Sequence, residues 1–415
     1  MLLNNDPGQL GFNSPDGRTN FAVQDIIASL KFLHTVLPSF GGDVTKITVA
    51  GQSSGANLIR ALLATPSAAP LFQSAILHSD PMVSVCFLTS LLVAEILQDY
   101  GFLSSTVQSK LQQYFNEQIN CSAGDASCIN SLTLSAVLSA SNALYNNAMN
   151  IDPSATWEEP MRPVHDGVLI TSTLDSSSPF PQVSKPIILS NVADEAGPAI
   201  YGSFTSAIDA STYEAIVNSS FGEACASNLL AYPGYQVPIL TGGQTADARV
   251  QLEELGTDQV WRCPTWTFAR SWTQNGGTAF VAQYAVGATY VDNENIPFCS
   301  EAGIVCHEDD IEIVVRDFIA LSLSLFNDQI QFGTVPNPTS AQSSLISEVQ
   351  ARYKSFLLTG NPNPSGAVFP LWSPATTGNF SAQNLGIPGT AAVGACNTQF
   401  WGTTNVPYDY QVYGI

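Results

Sequence analysis

One short segment, residues 47–58 with the sequence ITVAGQSSGANL, constrains the fold of this chain more than any other. A β-branched run at residues 47–50 leads directly into the pattern G-x-S-x-G at residues 51–55, and the helix-forming sequence ANLIRALLA follows. A serine between a strand and a helix in this pattern is typical of a nucleophile elbow, and the flanking glycines remove side chains that would clash in the turn. Five residues of this pattern also arise by chance, but the flanking strand and helix predict that Ser53 is a nucleophile.

Strands alternate with helices along the rest of the chain. Apolar residues recur at helical spacing after Asn20, which is expected to be the N-cap, and Pro38 is expected to end that helix. Buried strands are predicted at residues 74–79, 186–192 and 278–286, whereas residues 86–150 and 203–275 have mainly helical patterns. Because the composition does not break, we expect residues 1–415 to form a single α/β domain with a mostly parallel central sheet and helical insertions.

The chain has only four histidines, which makes a choice by elimination practical. In folds built on such an elbow, the nucleophile is followed first by an acid and then by the histidine. His34 precedes the elbow, His78 follows it too closely, and His165 comes before the strand that should deliver the acid. The order therefore predicts His307 as the base.

Two adjacent carboxylates compete for the role of the acid. Asp194 and Glu195 follow the predicted strand at residues 186–192, at the carboxyl end where α/β sheets place their chemistry. Either could orient an imidazole, and the pattern alone does not choose between them.

These motifs jointly resemble the type-B carboxylesterase/lipase family, which includes the cholinesterases. The sequences FGGD, TVAGQSSGA, LFQSAILHS, VHDG, the loop with Asp194 and Glu195, CHEDDI and FLLTGNPNP occur in the family's order across nearly the whole chain. The resemblance implies the α/β-hydrolase fold and carboxylic ester hydrolysis by Ser53, His307 and Glu195, without a metal or organic cofactor. It also implies a small-molecule or lipid ester as the substrate. Ala196 departs from the family's D-E-G context, which leaves Asp194 as the reserve acid.

The sequence supplies few of the backbone N–H donors that an oxyanion hole needs. One donor is expected to be the backbone N–H of Ser54, the residue after the nucleophile. The family's upstream H-G-G-G-type loop has no counterpart here, so the resemblance implies a chain that begins late and lacks the first strands of the fold. The elbow strand is then expected at an exposed sheet edge. The alternative function is a catalytically impaired or non-catalytic cholinesterase-like binding protein.

The charge balance excludes some partners. With 13 Lys and Arg against 34 Asp and Glu, the net charge is −21, which disfavours binding to nucleic acids and anionic lipids. Three of the acidic residues, at positions 308–310, adjoin His307, but neighbouring residues rarely converge on one ion, so an acidic helix start is expected there and not a metal site.

Cysteines and sequons indicate an oxidising compartment. The eight cysteines permit four disulfides, and the short intervals favour the pairs Cys121–Cys128 and Cys299–Cys306, while Cys86, Cys225, Cys263 and Cys396 could pair in several ways. Glycosylation sequons begin at Asn120, Asn218 and Asn379. The first residues have no signal-peptide pattern, and no apolar run approaches the roughly 18 residues of a membrane span. We therefore expect a secreted protein whose export signal lies outside this sequence.

Overall fold

The fold is built on a central seven-stranded sheet. The structure, a computed structural model, describes residues 2–3, 19–82, 100–122, 124–155, 160–174, 180–243, 245–315, 335, 337–366, 368–376, 382–391 and 396. The strand order in the central sheet is β1-β2-β3-β6-β7-β8-β9, and β4 pairs with β5 in a separate small sheet. The strands are β1 (Leu2–Leu3), β2 (Thr48–Gln52), β3 (Ser74–His78), β4 (Leu103–Ser104), β5 (Val164–His165), β6 (Pro186–Val192), β7 (Thr278–Tyr284), β8 (Ala382–Leu385) and β9 (Thr390–Ala391).

Parallel pairing joins every neighbouring pair from β1 to β8 in the central sheet, and only β8 and β9 are antiparallel. The carboxyl ends of β2, β3 and β6 consequently meet at one edge of the sheet. The prediction of a mostly parallel α/β fold is therefore confirmed.

Helices cover the sheet and extend beyond it. Their bounds in the described part of the chain are α1 (Phe21–Val36), α2 (Ser54–Leu63), α3 (Ser105–Ile119), α4 (Ala126–Asn130), α5 (Leu134–Ile151), α6 (Gly197–Ser203), α7 (Ala210–Ala231), α8 (Arg249–Thr257), α9 (Cys263–Gln274), α10 (Ile311–Val315) and α11 (Ser340–Thr359). A π-helical segment, Asp258–Arg262, joins α8 to α9. None of the described helices has the length and apolar character to span a bilayer.

Three groups of buried apolar side chains hold these elements together. The largest includes Leu30 of α1, Leu62 of α2 and Leu189 of β6. A second includes Phe280 of β7 and Phe356 of α11. The third is separate from the sheet and packs α3 against α5.

One local prediction holds only in part and another is wrong. Asn20 is the N-cap residue of α1, and its carbonyl accepts from Gln24 N–H at 3.0 Å. Its side chain does not cap the helix, because its backbone is left-handed with φ of 57° and its side chain bonds to the backbone of Val164. The elbow strand is not the edge of the sheet, because Leu2 and Leu3 of β1 pair with Ala50 and Gly51. This pairing depends on backbone hydrogen bonds between distant segments, which no local pattern encodes.

Candidate active site

Ser53 lies in a strained turn between β2 and α2. Its φ of 54° and ψ of −123° are unfavourable for a residue with a side chain, and strain of this kind persists only where the surroundings enforce it. The Ser53 N–H donates to the His78 carbonyl at 2.9 Å, and the Ser53 carbonyl accepts from Ala56 N–H at 2.9 Å. A Cβ on Gly51 would lie 2.5 Å from the Gly55 backbone, so only glycine fits this position. These contacts produce the sharp strand-to-helix turn of a nucleophile elbow.

Ser54 begins α2 directly after the turn. It is buried and lines the same cavity as Ser53. Its backbone N–H belongs to the first helical turn, where the helix dipole favours negative charge. An oxyanion formed at Ser53 would lie near this helix end.

His307 and Glu195 form a buried pair. His307 Nδ1 lies 2.5 Å from Glu195 Oε2, and Glu195 Oε1 accepts from Val192 N–H at 2.8 Å. The Glu195 side chain is 0% exposed and that of His307 is 17% exposed. With Nδ1 donating to this carboxylate, His307 keeps Nε2 available to accept a proton.

Asp194 has a different role in the same loop. Its backbone N–H donates to Val305 O at 2.9 Å, and its side-chain Oδ2 accepts from Val305 N–H at 2.8 Å. Asp194 also forms a β-bridge with Cys306. Asp194 thus fastens the acid loop to the histidine loop, whereas Glu195 faces the imidazole.

The loop that carries His307 is fixed at several points. Cys306, the preceding residue, forms a disulfide with Cys299. Asn293 donates to His307 O at 2.7 Å and to Asp309 Oδ1 at 2.9 Å. Asp309 in turn accepts from Cys306 N–H at 2.8 Å. Asp309, one of the acidic residues beside the histidine, therefore stabilises the loop.

Opposing influences set the proton affinity of His307. Burial disfavours the imidazolium and is the largest single influence, but the charge and hydrogen bond of Glu195, with the charges of Glu308 and Asp310, together outweigh it. The pKa of His307 therefore lies above its ordinary value of 6.5. A histidine that holds a proton more tightly is a stronger base at neutral pH.

Ser53, Glu195 and His307 share a cavity of about 240 Å³. In the described part of the chain no side-chain hydrogen bond joins Ser53 to His307, and Gln52 Nε2 lies 3.3 Å from His307 Nε2. Catalytic hydrogen bonds in unliganded sites are often long and shorten when substrate binds. The remaining lining residues are Ser54, Asn57, Pro81, Tyr100, Arg162, Pro198, Ala199 and Trp261.

Trp261 is the residue that the sequence analysis missed most clearly. Its ring centroid lies 5.4 Å from that of His307, and it belongs to the π-helical segment between α8 and α9. Arg262 holds this segment through ion pairs with Asp258 at 2.6 Å and Glu254 at 2.7 Å. π-Helical turns occur frequently at functional sites, but no residue pattern here predicts one.

The described residues include three disulfides and two of the three predicted glycosylation sites. The structure contains Cys121–Cys128, Cys299–Cys306 and Cys263–Cys396. Cys225 is also disulfide-bonded, and Cys86 lies outside the described residues. Asn120 and Asn218 are exposed, whereas Asn379 lies outside the described residues.

The chain matches a known family over nearly all its length. The sequence model of the carboxylesterase family matches residues 7–401. Crystal protein of Dictyostelium discoideum is 24% identical over 369 residues, which cover 86% of this chain and 58% of that protein. Para-nitrobenzyl esterase of Bacillus subtilis is 45% identical over 60 residues, which cover 14% of this chain and 12% of that protein.

A solved structure has the same architecture. A thermophilic PNB esterase superposes with a TM-score of 0.62 and 17% identity, covering 91% of this chain and 67% of that one. The chain spans 58 to 59% of the length of two of the curated relatives that it matches, Crystal protein and cAMP-regulated D2 protein of Dictyostelium discoideum.

Proposed function

This chain belongs to the carboxylesterase family, and we propose that it hydrolyses carboxylic esters through a covalent acyl-enzyme formed on Ser53. The observation that carries this proposal is the shared cavity of a strained serine and a buried histidine–glutamate pair. Three side chains of these types, contributed by three separate loops, match the requirements of nucleophilic acyl transfer.

The proposed reaction has two halves. Ser53 Oγ attacks the ester carbonyl while His307 Nε2 accepts the hydroxyl proton, and Glu195 stabilises the imidazolium that forms. The N–H of Ser54 donates to the oxyanion. His307 then protonates the leaving alcohol, and a water molecule, deprotonated by His307, releases the acid.

The cavity wall supports a compact, apolar ester group as the substrate. Pro81, Pro198, Ala199 and Trp261 present apolar surface close to the serine. A volume of about 240 Å³ lies below the range of about 300–1,000 Å³ that is usual for drug-sized ligands. We therefore propose small-molecule esters, or lipid esters that insert one short segment, as the substrate class.

We also propose that the protein works outside the cell and carries glycans at Asn120 and Asn218. The support is the set of disulfides, which persist in oxidising compartments, and the exposure of both asparagines. Expression in a eukaryotic secretory host followed by glycosidase treatment would reduce the mass if these sites are modified. An unchanged mass would contradict the glycan proposal.

Ester turnover tests the proposed reaction. Hydrolysis of a nitrophenyl ester series should fall by at least about 10³-fold in Ser53→Ala, since the nucleophile is lost. Ser54→Ala is the matched control, because it removes the neighbouring hydroxyl but keeps the backbone N–H, and its activity should stay close to that of the wild type. A folded wild-type protein without ester turnover, or with turnover that survives in Ser53→Ala, would favour the binding-protein alternative.

A further inference from the structure

A second buried histidine–carboxylate pair, His78 and Asp310, lies at the end of strand β3, next to the proposed triad. His78 Nδ1 lies 2.7 Å from Asp310 Oδ2 and 2.9 Å from Ser190 Oγ. On the other side of the ring, His78 Nε2 lies 2.9 Å from the Tyr353 hydroxyl. His78 is 5% exposed and Asp310 is 1% exposed, so solvent screens this pair little.

His78 also contacts the nucleophile through its backbone. It is the last residue of β3 and pairs with Gln52, the last residue of β2. Its carbonyl accepts the Ser53 N–H at 2.9 Å, as described above. The backbone of His78 therefore supports the elbow directly.

Asp310 connects His78 to the loop that carries His307. It follows His307 by three positions, at the end of the loop that Cys306 and Asp309 anchor. Its Oδ1 is buried and has no hydrogen-bond partner among the described residues. The carboxylate thus depends on its other oxygen, Oδ2, for the contact with His78, and a buried carboxylate without a donor is strongly disfavoured.

We propose that His78 and Asp310 are positioning residues that hold the His307 loop in register with Ser53. One residue, His78, contacts the backbone of the nucleophile and, through Asp310, the loop of the base. The inference rests on the proposed function for its effect on the reaction. The juxtaposition itself involves neither Ser53 Oγ nor the His307 ring.

Three variants separate the contacts of the His78 ring. The shorter amide in His78→Asn places a nitrogen where Nδ1 lies, so this variant keeps a donor for Asp310. The longer amide in His78→Gln lies farther along the side chain, near the position of Nε2, so this variant keeps a partner for Tyr353 and loses the donor for Asp310. Tyr353→Phe removes only the hydroxyl on the far side of the ring and is the control for the network as a whole.

The first readout is the second-order rate of labelling by a fluorophosphonate probe. His78→Gln should lower the rate about 10- to 100-fold, since small displacements of catalytic groups cost this much. His78→Asn and Tyr353→Phe should stay within about threefold of the wild type. Melting temperatures are measured alongside. Equal losses in His78→Asn and His78→Gln, or losses that follow the melting temperature in all three variants, would overturn the proposal.

The second readout does not depend on reactivity. With four histidines in the chain, ¹⁵N-histidine labelling gives few imidazole signals, and a His307→Asn variant assigns the one of interest. The His307 signals should move in His78→Gln and stay in place in Tyr353→Phe. If the wild type does not react with the probe, the proposed function fails, while the His307 signals still decide the positioning role. Unchanged His307 signals in His78→Gln would contradict it.

Discussion

At the scale of single residues, the proposed chemistry depends on how His307 is held. One ring nitrogen contacts a fully buried glutamate, and we propose that the other, which lies 3.3 Å from Gln52 Nε2, accepts the proton of Ser53. Burial alone would make the ring a weaker base, but Glu195 and, to a smaller extent, Glu308 and Asp310 together raise the pKa of His307 above its ordinary value. A neutral ring is required as the base, so acylation should fall as the pH decreases through this raised pKa.

Glu195→Gln tests how far the Glu195 carboxylate raises the pKa of His307. Removing the charge should lower the pKa of His307 and shift the acid limb of the kcat/KM profile to lower pH. The maximal rate should fall by about 10²–10⁴-fold, because the amide stabilises the imidazolium less well. The measurement is a pH–rate profile of both proteins, with Asp194→Asn as the adjacent control. A larger rate loss in Asp194→Asn would identify the reserve acid as the catalytic one.

Trp261 offers a residue-scale test of the substrate class. Replacing it with alanine removes a wall of the cavity next to His307. We expect Trp261→Ala to raise kcat/KM for longer acyl or alcohol groups relative to short ones by about tenfold, since each methylene in an apolar pocket is worth about 1–3 kcal/mol. Trp261→Phe should change this preference less. An unchanged chain-length profile in Trp261→Ala would show that another wall limits the substrate.

The predictions at residue scale came from order and local pattern. Ser53 followed from a motif between a strand and a helix, and His307 followed from its late position in the chain. Gln52, Trp261 and Asn293 did not follow, because their contacts with His307 depend on how distant loops meet. The difference between Asp194, which bonds to Val305, and Glu195, which contacts His307, likewise depends on tertiary contacts that local sequence does not encode.

At the scale of elements, a disulfide and several hydrogen bonds anchor the loop between β7 and α10 around His307. Two disulfides in this chain close loops of the same length, Cys299–Cys306 and Cys121–Cys128, each with a sequence separation of 7. Only the first adjoins His307. They therefore form a matched pair for separating catalytic positioning from general stability.

We predict different outcomes for their removal. Replacing Cys299 and Cys306 together by alanine should lower ester turnover about 10- to 100-fold, because the histidine loop loses its covalent anchor. Replacing Cys121 and Cys128 together should leave turnover close to that of the wild type. Turnover and melting temperature are measured for both double variants. Equal losses of turnover would indicate that the anchor acts through stability alone.

The elements themselves were predictable where periodicity is strong. The buried strands β3, β6 and β7 fall on the predicted runs, and the elbow strand begins one residue later than expected. The two-residue strand β1 and the π-helical segment carry no periodic signal. Both are specified by tertiary contacts, which explains why sequence patterns did not reveal them.

At the scale of the whole molecule, we propose that residues 1–415 form one domain. The α3–α5 cluster includes Leu103 and Val164 of the small sheet, and Phe21 packs against it at the start of α1, a helix whose Leu30 belongs to the largest cluster. Calorimetry should then record a single unfolding transition. Two well-separated transitions would indicate that the α3–α5 region unfolds independently.

The buried carboxylates predict how the stability of the whole molecule depends on pH. The net charge is −21, and burial raises the pKa of Asp80 to about 6 and that of Asp309 to about 6, from an ordinary value of 3.8. A carboxyl with a raised pKa binds its proton more tightly in the folded state, so stability falls as the pH rises from the ordinary pKa through about 6. The melting temperature should therefore be a few degrees higher at about pH 5.5 than at about pH 7.5.

Asp80→Asn is the control for this pH dependence. The variant loses one titrating group, so its melting temperature should change less between the two pH values, whatever its absolute stability. Calorimetry at both pH values supplies the comparison. A melting temperature that rises with pH in the wild type would contradict the prediction.

Covalent labelling of Ser53 tests the central claim most directly. The purified protein is treated with a fluorophosphonate, and intact mass and peptide mapping locate the adduct. An activated serine should react with a stoichiometry near one, the adduct should map to Ser53, and Ser53→Ala should not react while Ser54→Ala does. A folded protein that remains unmodified, or one modified at another residue, would contradict the assignment of Ser53 as the nucleophile.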